Sequence, residues 1–134
     1  RNPNATRPWQ HVLEPLRGYL ILAENLYIQG DKYVGAWNFG PNVEEAKPVT
    51  FIVDHLSKAW GDGVGWKTDK ATHPHEDMFL ALDNSKAKRY LGWQPKLTLE
   101  ETLDWIIDWY KAYQGSGDIR EKTIEQIKNY QNSK

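Results

Sequence analysis

The sequence predicts an α/β domain that is mostly helical, with about five helices and two or three short strands. Apolar residues recur at helical spacing over long stretches. The segments that read as strands are short and few. No strand runs into a glycine-rich turn and then a helix, so the Rossmann sheet that holds a dinucleotide is absent. At 134 residues the chain reads as one domain, residues 1–134.

The first helix covers 13–26, with Leu16, Tyr19, Leu20, Ala23, Leu26 and Tyr27 as its expected inward stripe and Pro15 in the tolerated first turn. Gly30-Asp31-Lys32 is a turn. The aromatic stretch 33–39, closed by Gly40-Pro41-Asn42, reads as a buried strand. A second helix follows Pro48, with Val49, Ile52, Val53, Leu56 and Trp60 on one face and Gly61 as its stop. Residues 64–68 read as a second short strand and 69–77 as an ordered loop. Asp83 caps a short helix that ends at Gly92. Thr98-Leu99-Glu100-Glu101 is a capping box opening a long helix, with Leu99, Leu103, Ile106, Tyr110 and Tyr113 facing inward. After Gly115 and Gly117, a more polar helix covers 118–130, with Ile124, Ile127 and Tyr130 as its stripe.

Composition narrows the function classes. With 17 basic and 18 acidic residues the net charge is −1, which offers no broad attraction to nucleic acid or an anionic membrane, so any anion site is local. The absence of cysteine removes disulfides and thiolate zinc sites and fits a cytoplasmic protein. No apolar run approaches the roughly 20 residues of a bilayer span. The chain opens at Arg1 without a methionine, as a piece of something longer would. The sequon Asn4-Ala5-Thr6 reads as chance.

Catalysis needs an activated nucleophile, or an acid and base tuned by each other's neighbourhood. Ser57, Ser85, Ser116 and Ser133 have no such context, and Glu44-Glu45 and Glu100-Glu101 read as loop solvation and helix N-terminal charge. No catalytic residues are expected. Gly61-Asp62-Gly63-Val64-Gly65 follows a helix rather than leading into one, against a phosphate loop. His73-Pro74-His75-Glu76-Asp77 is open to three readings: a metal site, a solvated loop or a substrate contact. A metal would need ligands converging from two elements, which a single loop does not supply. Arg7 is equally open. Its guanidinium suits phosphate, but an arginine stacked on Trp9 or paired with Glu14 would have the same spacing. His11 reads as a hydrogen-bonded structural histidine and most tryptophans as core, while Trp66, near the histidine loop, is a candidate for shaping a site.

The stretch Arg7-Pro8-Trp9-Gln10-His11-Val12-Leu13-Glu14-Pro15-Leu16 resembles the corresponding segment of CDP-glucose 4,6-dehydratases, within the extended short-chain dehydrogenase/reductase superfamily of nucleotide-sugar enzymes. Other branches carry Arg-Asp-Trp/Tyr there, and Pro8 in place of the Asp favours this one. Ala36-Trp37-Asn38-Phe39-Gly40, Leu82-Asp83-Asn84-Ser85-Lys86-Ala87 and Leu91-Gly92-Trp93-Gln94-Pro95 with Thr98-Leu99-Glu100-Glu101 resemble later family segments in the same order.

The resemblance implies the C-terminal, substrate-binding portion of a longer enzyme whose N-terminal Rossmann domain supplies NAD and the catalytic residues. Arg7 then faces the sugar diphosphate of CDP-glucose. His73 stands where relatives have a second arginine, with His75 sharing its task and Glu76 as the orienting acid, while Trp9, His11 and Trp66 shape the site. A histidine makes fewer hydrogen bonds than arginine and is cationic only near or below its pKa. The implied reaction of the whole enzyme, oxidation at C4, loss of water across C5 and C6 and hydride return to C6, yields CDP-4-keto-6-deoxyglucose for surface polysaccharide. The partners implied are CDP-glucose, the Rossmann domain and a second or further copy of the whole enzyme, with no metal, nucleic acid or membrane. No cofactor is expected on this portion, which is catalytically silent by itself. The competing reading is a small helical protein-interaction module without enzymatic activity.

Overall fold

The computed structural model describes residues 2–133. Five helices carry the fold, and its only sheet among the described residues pairs two strands of two residues each. Strand β1 is Thr6–Arg7 and β2 is Lys47–Pro48, antiparallel with Thr6 opposite Pro48 and Arg7 opposite Lys47. Helices α1 (Leu13–Gln29), α2 (Val49–Trp60), α3 (Ser85–Leu91), α4 (Leu99–Gln114) and α5 (Ile119–Asn132) follow in chain order. Helix α4 lies between α2 and α5 as a shared packing partner, and α1 packs on α3.

Local chemistry sets the helix ends. Thr98 accepts the Glu101 N–H while the Glu101 side chain reaches back to the Thr98 N–H, the capping box read in the sequence. Asp118 caps α5 by accepting from Arg120 and Glu121. Helix α3 stops at Gly92, whose left-handed φ of 61° suits a residue without a Cβ. Asp83 acts one residue ahead of the helix cap, accepting the Ser85 N–H at 2.8 Å from outside Asn84.

Two apolar clusters form the core. Phe39, Ala87 and Trp93 make one, with Ile21, Leu22, Trp37 and Leu91 against it. Ile52, Leu99 and Leu103 make the other, with Trp9, Phe51 and Leu56. Phe39 meets Trp93 edge to face at 5.2 Å, a geometry that the ring quadrupoles favour.

Three sequence expectations are corrected. The 33–39 strand does not form: Tyr33 ends a 3-10 turn, and the backbone carbonyls beyond it are taken by side chains instead of a ladder. Trp37 Nε1 donates to Tyr33 O, Lys86 Nζ to Ala36 O, Gln10 Nε2 to Phe39 O and Asn84 Nδ2 to Gly40 O, at 2.8 to 2.9 Å. Residues 64–68 are irregular and exposed, with no strand beside them. The pairing occurs instead at β1 and β2, too short for a periodic signal.

The third correction concerns which faces are buried. The inward face of α1 carries Glu14 and Gly18, while Leu16, Tyr19, Leu20 and Tyr27 are exposed, Leu20 by 72% and Tyr27 by 93%. A Cβ at Gly18 would run into the Phe39 ring, so glycine permits that close approach. Helix α4 likewise buries Thr102 and Ile107 beside Leu99 and Leu103, leaving Tyr110 and Tyr113 outside. In α5, Gln126 and Tyr130 are the buried residues.

Candidate functional site

Arg7 is placed by backbone pairing on both sides of β1. Lys47 of β2 lies opposite it, and on the other side Thr6 N donates to Met78 O (2.8 Å) and Leu80 N to Thr6 O (3.1 Å). That second tie brings the end of the 69–77 loop to the strand. Two residues before Met78, Glu76 Oε1 accepts from Arg7 Nη2 in an ion pair. Arg7 Nη1 donates to Thr6 O at 2.7 Å, which fixes the guanidinium plane. The two side chains remain 20% and 27% exposed, so solvent reaches both.

Two of the residues singled out in the sequence thus meet. The histidines stand differently. His73 Nε2 lies 3.0 Å from Asp69 Oδ2, within ion-pair distance but outside hydrogen-bonding geometry, and the nitrogen is buried. The hydrogen bond from Ala71 N–H, with His73 beside it, holds the Asp69 carboxyl below its usual range. His75 is 90% exposed, with Asp77 3.5 Å away. Over 61–80 His73 and Glu76 are half-buried and the other residues are exposed. Among the described residues, no three His, Asp or Glu side chains converge as a metal site.

Trp9, His11 and Trp66 have partners elsewhere in the fold. Trp9 Nε1 donates to Lys47 O at 3.1 Å, locking the segment after Arg7 to β2. His11 is buried edge to face against Trp105, and its Nδ1 accepts the Leu13 N–H at 3.2 Å. Burial lowers its pKa, against a raising influence from Glu14. Trp66 Nε1 donates to Asp54 Oδ1 at 2.8 Å and lines an apolar groove with Val53, Trp60, Ile106 and Tyr110, which draws it toward α2 and α4.

The residue whose role sequence reasoning missed is Glu14, which was weighed as a partner for Arg7. Its side chain is fully buried. Oε1 accepts the backbone N–H groups of Lys96 and Leu97, each at 2.8 Å, and Oε2 accepts the Tyr130 hydroxyl at 2.6 Å. Burial, then this hydrogen bond, raises the Tyr130 pKa. Trp93 Nε1 adds a bond to Glu14 O at 3.2 Å. One acid therefore joins α1, the turn before α4, and α5. The available signal was the spacing of Glu14 to Gly18, one helical turn on the side away from Leu16 and Leu20.

Sequence comparison bears on what this arrangement serves. No protein-family model matches the chain. It is 48% identical over 130 residues to the CDP-glucose 4,6-dehydratase of Salmonella typhimurium, a span covering 97% of this chain and 36% of that protein. Its relatives are nucleotide-sugar 4,6-dehydratases. The dTDP-glucose 4,6-dehydratases of Neisseria meningitidis serogroup B and of Escherichia coli match at 30% over 110 residues and 29% over 118. The chain spans about a third of the length of these dehydratases. No helix among the described residues is long and apolar enough to cross a membrane.

Proposed function

We propose that the chain is the C-terminal, nucleotide-sugar-binding part of a CDP-glucose 4,6-dehydratase. The observation that carries this reading is the 48% identity over 97% of the chain, a span long enough to take in both Arg7 and the 73–76 segment. Arg7 is the diphosphate contact. It is a fixed cation at the end of a strand, partly open to solvent, and its guanidinium already holds an anionic group. His73 and His75 extend the site along the loop. Trp9 Nε1 and His11 Nδ1 are occupied by the fold, so these residues position Arg7 rather than touch substrate.

The described residues offer no strand, glycine-rich turn and helix to hold NAD, so the cofactor belongs with the remainder of the longer enzyme. When bound there, NAD supplies the hydride chemistry of the 4,6-dehydration. This chain alone binds and orients, and is catalytically silent. The exposed apolar side of α1, with Leu16, Leu20 and Tyr27, is the face against which that remainder packs. A small interaction module would expose the same face, so ligand binding separates the two readings.

Calorimetric titration of the chain and of the longer enzyme with CDP-glucose should show binding that Arg7→Ala weakens by about 1.5–3 kcal/mol, the range for hydrogen bonds to charged groups. An unchanged Kd in the longer enzyme would remove Arg7 from the site. Absence of binding there would leave the interaction module.

A further inference from the structure

We infer that Glu76 is an internal competitor for Arg7: its carboxyl group occupies the guanidinium until a diphosphate displaces it. This rests on the reading of Arg7 as the diphosphate contact and adds a regulatory role for a residue otherwise taken as part of the binding set.

The loop's anchoring supports it. Of the side chains over 67–77, Glu76 reaches Arg7 in the body of the fold, whereas His73 and His75 pair with Asp69 and Asp77 inside the loop. The backbone ties at Met78 and Leu80 hold the loop's end against β1, so Glu76 stays within reach of Arg7. The guanidinium cannot give the same N–H groups to two anions at once. A diphosphate carries more charge and more acceptor oxygens than one carboxyl group and can take the planar fork in a bidentate fashion. Exchange of one anion for the other is therefore favourable, and the contact to Glu76 lowers the net affinity. It also keeps the cation from holding weaker monoanions.

The test is titration of the 134-residue chain and of the longer enzyme, each as wild type and as Glu76→Gln and Asp77→Asn variants, with pyrophosphate and with CDP-glucose. Glu76→Gln should lower the pyrophosphate Kd by roughly five-fold, the upper end for a solvent-accessible ion pair. Asp77→Asn removes the same charge from a solvent-exposed neighbour and should change it little. An equal gain in both variants, or none in Glu76→Gln, overturns the competition. If pyrophosphate obeys these expectations and CDP-glucose binds none of the proteins, the competition stands and the nucleotide-sugar reading falls. If CDP-glucose binds through Arg7 and Glu76→Gln changes nothing, the reverse holds. If neither ligand binds, both fall.

Discussion

Segment 7–14 and loop 69–77 draw on the same kinds of side chain, histidines and acids with a tryptophan in or near each, and the fold uses them in opposite ways. In 7–14 the side chains of Trp9, Gln10, His11 and Glu14 each hydrogen-bond a backbone group of the fold. In 69–77 most side chains face water, and Glu76 reaches the body of the fold at Arg7. A polar residue is structural where it completes a buried backbone and available for ligands where water already satisfies it. The one ion pair joining the two segments lies where those conditions meet.

The largest break in this contrast is at Glu14. Glu14→Ala strands two backbone N–H groups and the Tyr130 hydroxyl, and should lower unfolding stability by roughly 3–5 kcal/mol, read from the urea midpoint. A loss below about 1 kcal/mol would mean that water replaces the carboxyl group. Next is Gly18→Ala on the same helix face, where the added methyl meets the Phe39 ring and should cost about 1–3 kcal/mol by overpacking. Equal stability there would show that Phe39 can move aside.

His11 gives a smaller effect that depends on pH. Its folded-state pKa lies below the unfolded value of 6.5, so the unfolded chain binds the proton more readily. Stability is complete above that value and is lost as pH falls from it through the lower folded value. Thermal melts of wild type and His11→Asn over this window should converge as the pH drops, and a constant difference between them would remove His11 from the pH dependence. Smallest of all, His75→Ala in the exposed loop should shift the midpoint by less than about 0.5 kcal/mol. A larger loss would make the loop part of the folded core.

Much of the local structure is legible in the residues because its causes are local. Thr98 and Glu101 announce a capping box, Gly92 stops α3, and Asp118 opens α5 wherever the rest of the chain lies. The resemblance built on 7–16 is equally a matter of linear pattern, and the Salmonella CDP-glucose 4,6-dehydratase shares it across nearly the whole chain. The members of the Arg7–Glu76 ion pair were legible one by one, since both residues were singled out. That they bind each other was not, because the pair spans 69 positions and depends on the bridge between Thr6 and Phe79.

The sequence alone thus determined the helices, their caps, the kinship and the identities of the candidate site residues, all of which follow from neighbours within a few positions. Tertiary structure decided which face each helix buries. Helical period locates an apolar stripe but does not say that it points inward, and in α1 the buried side is Glu14 and Gly18. It also decided that 33–39 is held by side-chain donors rather than by a strand partner, and that Glu14, in the first turn of α1, joins that helix to the turn before α4 and to α5. Each of these depends on which distant group arrives to fill a hydrogen bond or a cavity, and the linear order of residues does not specify that arrival.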